Sequence, residues 1–253
     1  MADHGLTWGV LPAGTFERLL VFSPHFDDAA MGAGHLLIAH PGATVVTVFA
    51  GRPARYPAGP TEWDALGGFR AGDDVVAIRR TEDEAALAVL GAEHRWLEFV
   101  DHQYLEPEAR ATPEQMAPAL ESAIDAVQPT AVVLPLGLAN PDHVATHDAG
   151  MVVAATRPEF TWFGYEDAGY KHIPGMLAWR VSKLFQSDFW PTPMIVPTVQ
   201  DHARKRAAIE CYRSQLGPLY ADHALAARID GNVPEQFWML APPPPGWERM
   251  REL

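Results

Sequence analysis

Arg18-Leu-Leu-Val-Phe-Ser-Pro-His-Phe-Asp-Asp-Ala-Ala-Met-Gly-Ala-Gly34 is the stretch on which the fold turns. Its first half, Leu19 to Phe22, is a short apolar run closed by Ser23 and Pro24, the pattern of a buried strand. Three ligand-type side chains, His25, Asp27 and Asp28, follow where that strand stops, and a helical pattern carrying Leu36, Leu37 and Ile38 comes next. The reading is a strand, a polar turn and a helix. In open α/β sheets ligands bind outside the carboxyl ends of the strands, and a helix start adds free N–H groups and a positive dipole end. Taken alone, an Asp pair at a helix start is as consistent with an N-cap as with a site.

Outward from this stretch the pattern repeats. Residues 1–17 read as a lead-in. Thr44–Phe49 is a β-branched second strand, and 52–72 is a long loop rich in Gly and Pro that holds Trp63, Asp64 and Phe69. A helix is predicted over 73–90, capped by Asp73 or Asp74 and stopped by Gly91, unless it starts at the capping-box pattern Thr81–Glu84. Trp96–Val100 reads as a third strand ending at Asp101, 113–127 as an amphipathic helix, and Ala131–Leu136 as a fourth strand. Strands alternating with helices predict an α/β fold, a mostly parallel sheet with helices on both faces.

Composition narrows the class. The 253 residues, 48% hydrophobic and 20% charged, suit a globular chain with a sizeable core. A formal net charge of −13 argues against nucleic acid or an anionic membrane as partner, since both call for a basic face. The one cysteine, Cys211, cannot form an internal disulfide, so no oxidising compartment is required. The start Met-Ala-Asp-His-Gly lacks the basic and apolar regions of a signal peptide, and no apolar run approaches the ~20 residues of a membrane span. A cytoplasmic location is the expectation. Prolines at 53–60, 191–197 and 242–245 mark loops and an irregular C-terminal tail rather than a linker.

The fourth strand runs into Gly137-Leu-Ala-Asn-Pro-Asp-His-Val-Ala-Thr-His-Asp-Ala-Gly150, a second polar cluster that opens a helix. Two such clusters converge in a parallel sheet if their strands are near one another. His25, Asp28 and His143 then offer two nitrogens and one carboxylate oxygen, a set that suits a catalytic zinc with an open position. Asp27 stands beside them, free to act as a base. His147, four residues after His143, would face the same side of a helix, although a histidine one turn in is more often supporting or superficial. His35, His40, His94, His102, His172, His202 and His223 show no partner pattern and are read as structural or solvated.

Ser23-Pro-His-Phe-Asp-Asp28 resembles the Pro-His-x-Asp-Asp signature of the LmbE-like, or PIG-L-type, zinc-dependent N-deacetylases, and Asn140-Pro-Asp-His143 resembles that family's second signature. Arg79-Arg80-Thr-Glu82 with Leu90-Gly91, Asp101, Tyr165-Glu-Asp-Ala-Gly-Tyr170 and Lys205 to Ser214-Gln215 resemble further family marks in order. The resemblance covers about 18–220 and implies a single domain over 1–253 with a Rossmann-like sheet and an active site at the C-terminal strand ends. It implies His25, Asp28 and His143 as ligands of Zn²⁺ or another divalent metal, and Asp27 as general base. The implied activity is removal of an acyl group, most simply acetyl, from an amino sugar or its conjugate.

Two departures qualify the resemblance. Asn140 stands where the family often has a histidine, and asparagine donates a hydrogen bond but gives up no proton near neutrality. Either Asp27 acts in both proton transfers, another residue such as His147 substitutes for that histidine, or turnover is slow. Ala29 stands where many members have Glu. Arg79, Asp101, Tyr165 and Glu166 are the candidates for holding substrate, with Trp162 and Asp167 near the pocket mouth; an ordinary ion pair or a fifth strand is the plainer reading of these residues. Lys205, Ser214 and Gln215 read as structural. The competing functions are a metal-binding, non-hydrolysing relative that serves as a sugar-binding or scaffold protein, and a nucleotide-binding enzyme, which the absence of a G-x-G-x-x-G turn disfavours. A homo-oligomer is left open.

Overall fold

In the computed structural model, residues 11–222, 234–243 and 246 are described; His223 lies outside them. The central strands β1 (Leu19–Ser23), β2 (Thr44–Thr47) and β4 (Ala131–Pro135) are buried at every residue. Unbroken apolar runs of this kind belong to a parallel sheet covered on both faces. β3 (Glu93–Trp96), β5 (Thr161–Tyr165), β6 (Trp190–Met194) and β7 (Phe237–Ala241) complete a seven-stranded sheet in the order β3-β2-β1-β4-β5-β7-β6. β1 to β5 pair in parallel, while β7 runs antiparallel to both β5 and β6.

Side chains alternate across the sheet. Leu19 and Val21 face helices α1 (Asp28–Ala39), α3 (Val75–Leu90) and α7 (His202–Ile209), whose Leu36, Leu37, Leu87, Leu90 and Ile209 fill one core. Leu20 and Phe22 face α4 (Pro113–Val127), α5 (Pro141–Ala154) and α6 (Met176–Phe185) through Met116, Leu120, Ile124, Val153 and Leu184. The long loop carries a short helix, α2 (Glu62–Leu66), which meets α8 (Arg213–Asp222).

Several boundaries differ from the sequence reading. Helix α3 is capped by Asp74, whose side chain accepts from Ala77 N, and ends at Gly91 in the left-handed region. The third strand begins three residues and ends four residues earlier than expected, at Glu93–Trp96, because it is a half-exposed edge strand with no apolar run to mark it. The expected stretch instead leaves the sheet through isolated bridges at Glu98 and Val100 and delivers Asp101 to the strand ends. Residues 237–241, read as part of an irregular tail, form the inner strand β7. The prolines that follow it, and Pro191 and Pro193 in its edge partner β6, masked both strands.

Helix α1 is kinked at Ala33 (φ −137°). At Gly32 an added Cβ would lie 2.5 Å from the Tyr165 ring, so the helix can approach β5 only without a side chain there. The kink frees backbone groups, and these are met from outside the helix. Lys205 Nζ donates to Met31 O (2.7 Å), and Glu235 accepts from His35 N (2.8 Å) and Leu36 N (3.3 Å) while pairing with Lys205 (2.6 Å). Lys205 is structural, as expected. From β1 the chain winds to β2 and β3 and then crosses to β4 on the other side of β1. That reversal opens a crevice at the C-terminal ends of β1 and β4.

Candidate active site

The turn after β1 is closed by its own side chains. Ser23 Oγ donates to His25 O (2.5 Å) and accepts from Ala29 N (2.9 Å), and His25 N donates to Asp28 Oδ2 (2.9 Å). Asp27 occupies the N-cap position of α1, yet its side chain accepts no capping hydrogen bond. The capping explanation for the Asp pair therefore does not hold, and the Asp27 carboxylate is left to the crevice. Across the crevice, the turn after β4 passes through Gly137 (φ +75°) and Ala139 (φ +58°), both in the left-handed region. Asn140 then caps α5 by accepting from Asp142 N (2.8 Å), which sets His143 in the first turn of the helix.

These two turns bring three ligand-type atoms together. Asp28 Oδ2 lies 3.3 Å from His25 Nδ1 and 3.1 Å from His143 Nε2. The other ring nitrogen of each histidine is held by a carboxylate: His25 Nε2 by Asp142 Oδ2 (3.0 Å) and His143 Nδ1 by Asp167 Oδ1 (2.5 Å). Asp167 is fixed in turn by accepting from Leu138 N (3.2 Å). A carboxylate behind each imidazole sets its tautomer and turns its free nitrogen toward a cation, so the donor set fits a divalent metal.

Electrostatics distinguish the paired aspartates. Burial opposes ionisation of Asp28, but the charges and hydrogen bonds of His143 and His25 overcome it and hold the carboxyl well below its usual range. Burial and the adjacent Asp28 charge push Asp27 up to about 7. Two neighbouring carboxyls driven apart in this way are suited to different roles, one as a permanent anion and one as a proton acceptor near neutral pH. A cavity of about 200 Å³ opens over them, lined also by Asp101, His102, Asn140 and Tyr170 and by Met31, Trp63, Gln215 and Leu219.

A family model described as PIG-L: GlcNAc-PI de-N-acetylase matches residues 20–155, which hold β1 to β4 and both site turns. The chain belongs to the PIG-L family. It is thus an N-deacetylase, a hydrolase of carbon–nitrogen amide bonds. Among solved structures, the zinc-inhibited form of teicoplanin deacetylase Orf2 is similar at 26% identity and a TM-score of 0.73, over 90% of this chain and 100% of that one. The A40926 pseudoaglycone deacetylase Dbv21 is similar at 26% identity and a TM-score of 0.68, over 88% and 96%. N,N'-diacetylchitobiose deacetylase from Pyrococcus horikoshii shares the fold at 20% identity and a TM-score of 0.56, over 90% and 84%. No curated protein matches.

Four residues expected at the site of this PIG-L member are held elsewhere. Arg79 is buried and paired with buried Asp64 (2.8 Å), which also accepts from Tyr104 Oη (2.7 Å); the pair joins α3 to α2. Tyr165 is fully buried and donates to Phe22 O (3.3 Å), because a residue at the end of β5 points into the sheet's own core. Glu166 faces Lys171 (3.3 Å) and Trp238 Nε1 (3.2 Å). His147 is buried against the Pro135 carbonyl (2.8 Å), and burial and Arg180 push its pKa down to about 3; it does not line the cavity and cannot replace the family histidine. Asp101 does line the cavity, its carboxylate held by Gln103 N (3.0 Å) and Nε2 (2.6 Å).

Conversely, Asp142 and His102 were missed. Asp142 lay inside a quoted signature, and its place between two histidine positions in the first turn of a helix was the available signal. His102 follows Asp101 at a strand's carboxyl end, but nothing local to the sequence separates it from a solvated histidine. Asp167, expected at the pocket mouth, lies behind His143.

Proposed function

We propose that the chain hydrolyses the N-acetyl group of an amino sugar or its glycoconjugate at a divalent-metal centre formed by His25, Asp28 and His143. The observation that carries this reading is the uncapped, buried Asp27 beside three ligand atoms that converge at the cavity. Two nitrogens and one carboxylate oxygen favour Zn²⁺, which when bound would polarise the acyl carbonyl and lower the pKa of water.

The chain's own groups supply the rest. Asp27 takes a proton from the attacking water. Asn140, whose Nδ2 also reaches Tyr170 Oη (3.3 Å), has a second N–H to offer the oxyanion. Asp142 and Asp167 keep the two ligand histidines oriented. Met31, Trp63 and Leu219 give the cavity an apolar side, against which an acetyl methyl or a sugar face can rest. The deacetylases similar to this chain act, by their descriptions, in teicoplanin biosynthesis and on the A40926 pseudoaglycone, so a glycoconjugate substrate is the first choice. The cytoplasm remains the compartment of this reading; among the described residues no helix is long and apolar enough to cross a membrane.

The non-hydrolysing alternative rests on Asn140 alone. Asn140 is used as a helix cap, and the cavity keeps both Asp27 and His102 as proton carriers. The test is amine release from an N-acetylglucosamine glycoside. Release that stops with a chelator and falls about 10²-fold or more in Asp27→Ala supports the reading; release that survives both contradicts it.

A further inference from the structure

Breaking an amide needs an acid as well as a base. An amine leaves as an amine only if its nitrogen receives a proton. Taking the proposed deacetylation as given, the cavity holds few groups able to supply one. His25 and His143 have both ring nitrogens committed, one toward Asp28 and one to a carboxylate behind. Asn140 has no proton to give. Tyr170 is half-buried with its hydroxyl near Asn140, and desolvation pushes its pKa up. Asp101 is held as an anion by donors from Gln103 and His102.

His102 is different. It opens a 3₁₀ turn, His102–Tyr104, and lines the cavity. Its backbone N and its ring Nδ1 both lie 3.0 Å from Asp142 Oδ2, and Nδ1 is 3.3 Å from Asp101 Oδ1. Two carboxylates from two elements thus fix the hydrogen on Nδ1. Proton exchange is left to Nε2, which has no hydrogen-bond partner among the described residues. The side chain is 28% exposed, so solvent can restore its proton. Asp142 Oδ2 joins this ring to that of His25, which places the acid one carboxylate away from the metal ligands.

We propose that His102 is the catalytic acid of this chain, with Nε2–H protonating the leaving amine and Asp101 and Asp142 holding the ring for that purpose. The water oxygen bonds to the acyl carbon while one of its protons passes to Asp27. The carbon–nitrogen bond then breaks, its electron pair stays on nitrogen, and nitrogen takes the His102 proton. Asp27 releases its proton to solvent and His102 regains one, which leaves a carboxylic acid and an amine; the acid's remaining proton, from the attacking water, then passes to the amine, so amide and water become carboxylate and ammonium.

The test compares the wild type with His102→Asn. The Asn amide nitrogen reproduces the Nδ1–H donor and lacks anything in place of Nε2, so the local fold is kept. Two probes are used: an N-acetylglucosamine glycoside, whose amine must be protonated, and p-nitrophenyl acetate, whose phenolate leaves without a proton. The proposal expects kcat on the amide to fall about 10²–10⁴-fold with KM little changed. It also expects ester hydrolysis and metal content to be retained. In the wild type, kcat/KM on the amide should fall on the alkaline side, and this limb should be lost in His102→Asn; Asp101, Asp142 and, through Asp142, His25 are the charged groups facing the ring. An equal loss on both probes would mean a structural role, and loss of bound metal would mean a ligand role. Either result, or unchanged amide turnover with its alkaline limb intact, overturns the proposal. If the wild type releases no amine at all, the deacetylase reading has failed first and this acid falls with it.

Discussion

Asp142 and Asp167 do the same thing for different histidines, each from behind the ring. Each takes the hydrogen of the ring nitrogen that faces away from Asp28, at 3.0 Å for His25 and 2.5 Å for His143. A carboxylate behind an imidazole raises its basicity and fixes its rotation, and losing one costs about 10–100-fold in metal affinity. Asp167→Asn should therefore weaken zinc binding by that order in a chelator competition, with the fold intact; unchanged affinity would mean that His143 is oriented by its helix alone. Asp27 makes the opposite case. Its side chain caps nothing and is 5% exposed, so Asp27→Asn should keep the metal and the thermal midpoint and lose about 10²–10⁴-fold in kcat. A variant that loses its metal instead would make Asp27 a ligand.

At the scale of elements, two buried carboxylates hold α3 in place, and both lie outside the cavity. The Arg79–Asp64 pair is closed to solvent on both sides, so Arg79→Ala leaves an unpaired charge and should destabilise the chain by about 3–5 kcal/mol in a urea titration. A raised KM on a sugar substrate without loss of stability would restore the substrate role that the motif suggested. Asp83 accepts from Thr47 Oγ1, Trp96 Nε1 and Tyr212 Oη and ties α3 to β2, β3 and the segment before α8; burial pushes it up to about 7 despite those donors. A carboxyl raised in the folded state binds more protons there than when unfolded. Its contribution is present below pH 4 and is lost as pH rises through about 7. Relative to Asp83→Asn, which has no charge to bury, the wild type should lose stability between pH 4 and pH 8, and a pH-independent difference would contradict the assignment. The sequence marked α3 and its caps well, because Asp74 and Gly91 act locally. Arg79 was left between two readings because a buried ion pair and a substrate-binding arginine look alike until the partner is known, and Asp64 lies fifteen residues away in a loop.

Over the whole molecule, the legible part was the part written in contiguous apolar runs. β1, β2 and β4 with their flanking helices follow from periodicity, and they place His25, Asp28 and His143 at one crevice because the chain reverses between β1 and β4. The edge strand β3, the proline-bearing β6 and the inner β7 were not legible, since their pairing comes from partners far along the chain. His102 was illegible for the same reason: its meaning lies in Asp142, forty residues on. The account stands or falls on whether those distant turns form one metal centre. The measurement that tests this most directly is the metal content of the purified full-length chain by elemental mass spectrometry, beside His143→Ala. The account predicts about one divalent ion, zinc, per chain in the wild type and its loss in the variant. No bound metal after reconstitution, or an ion retained without His143, would contradict it.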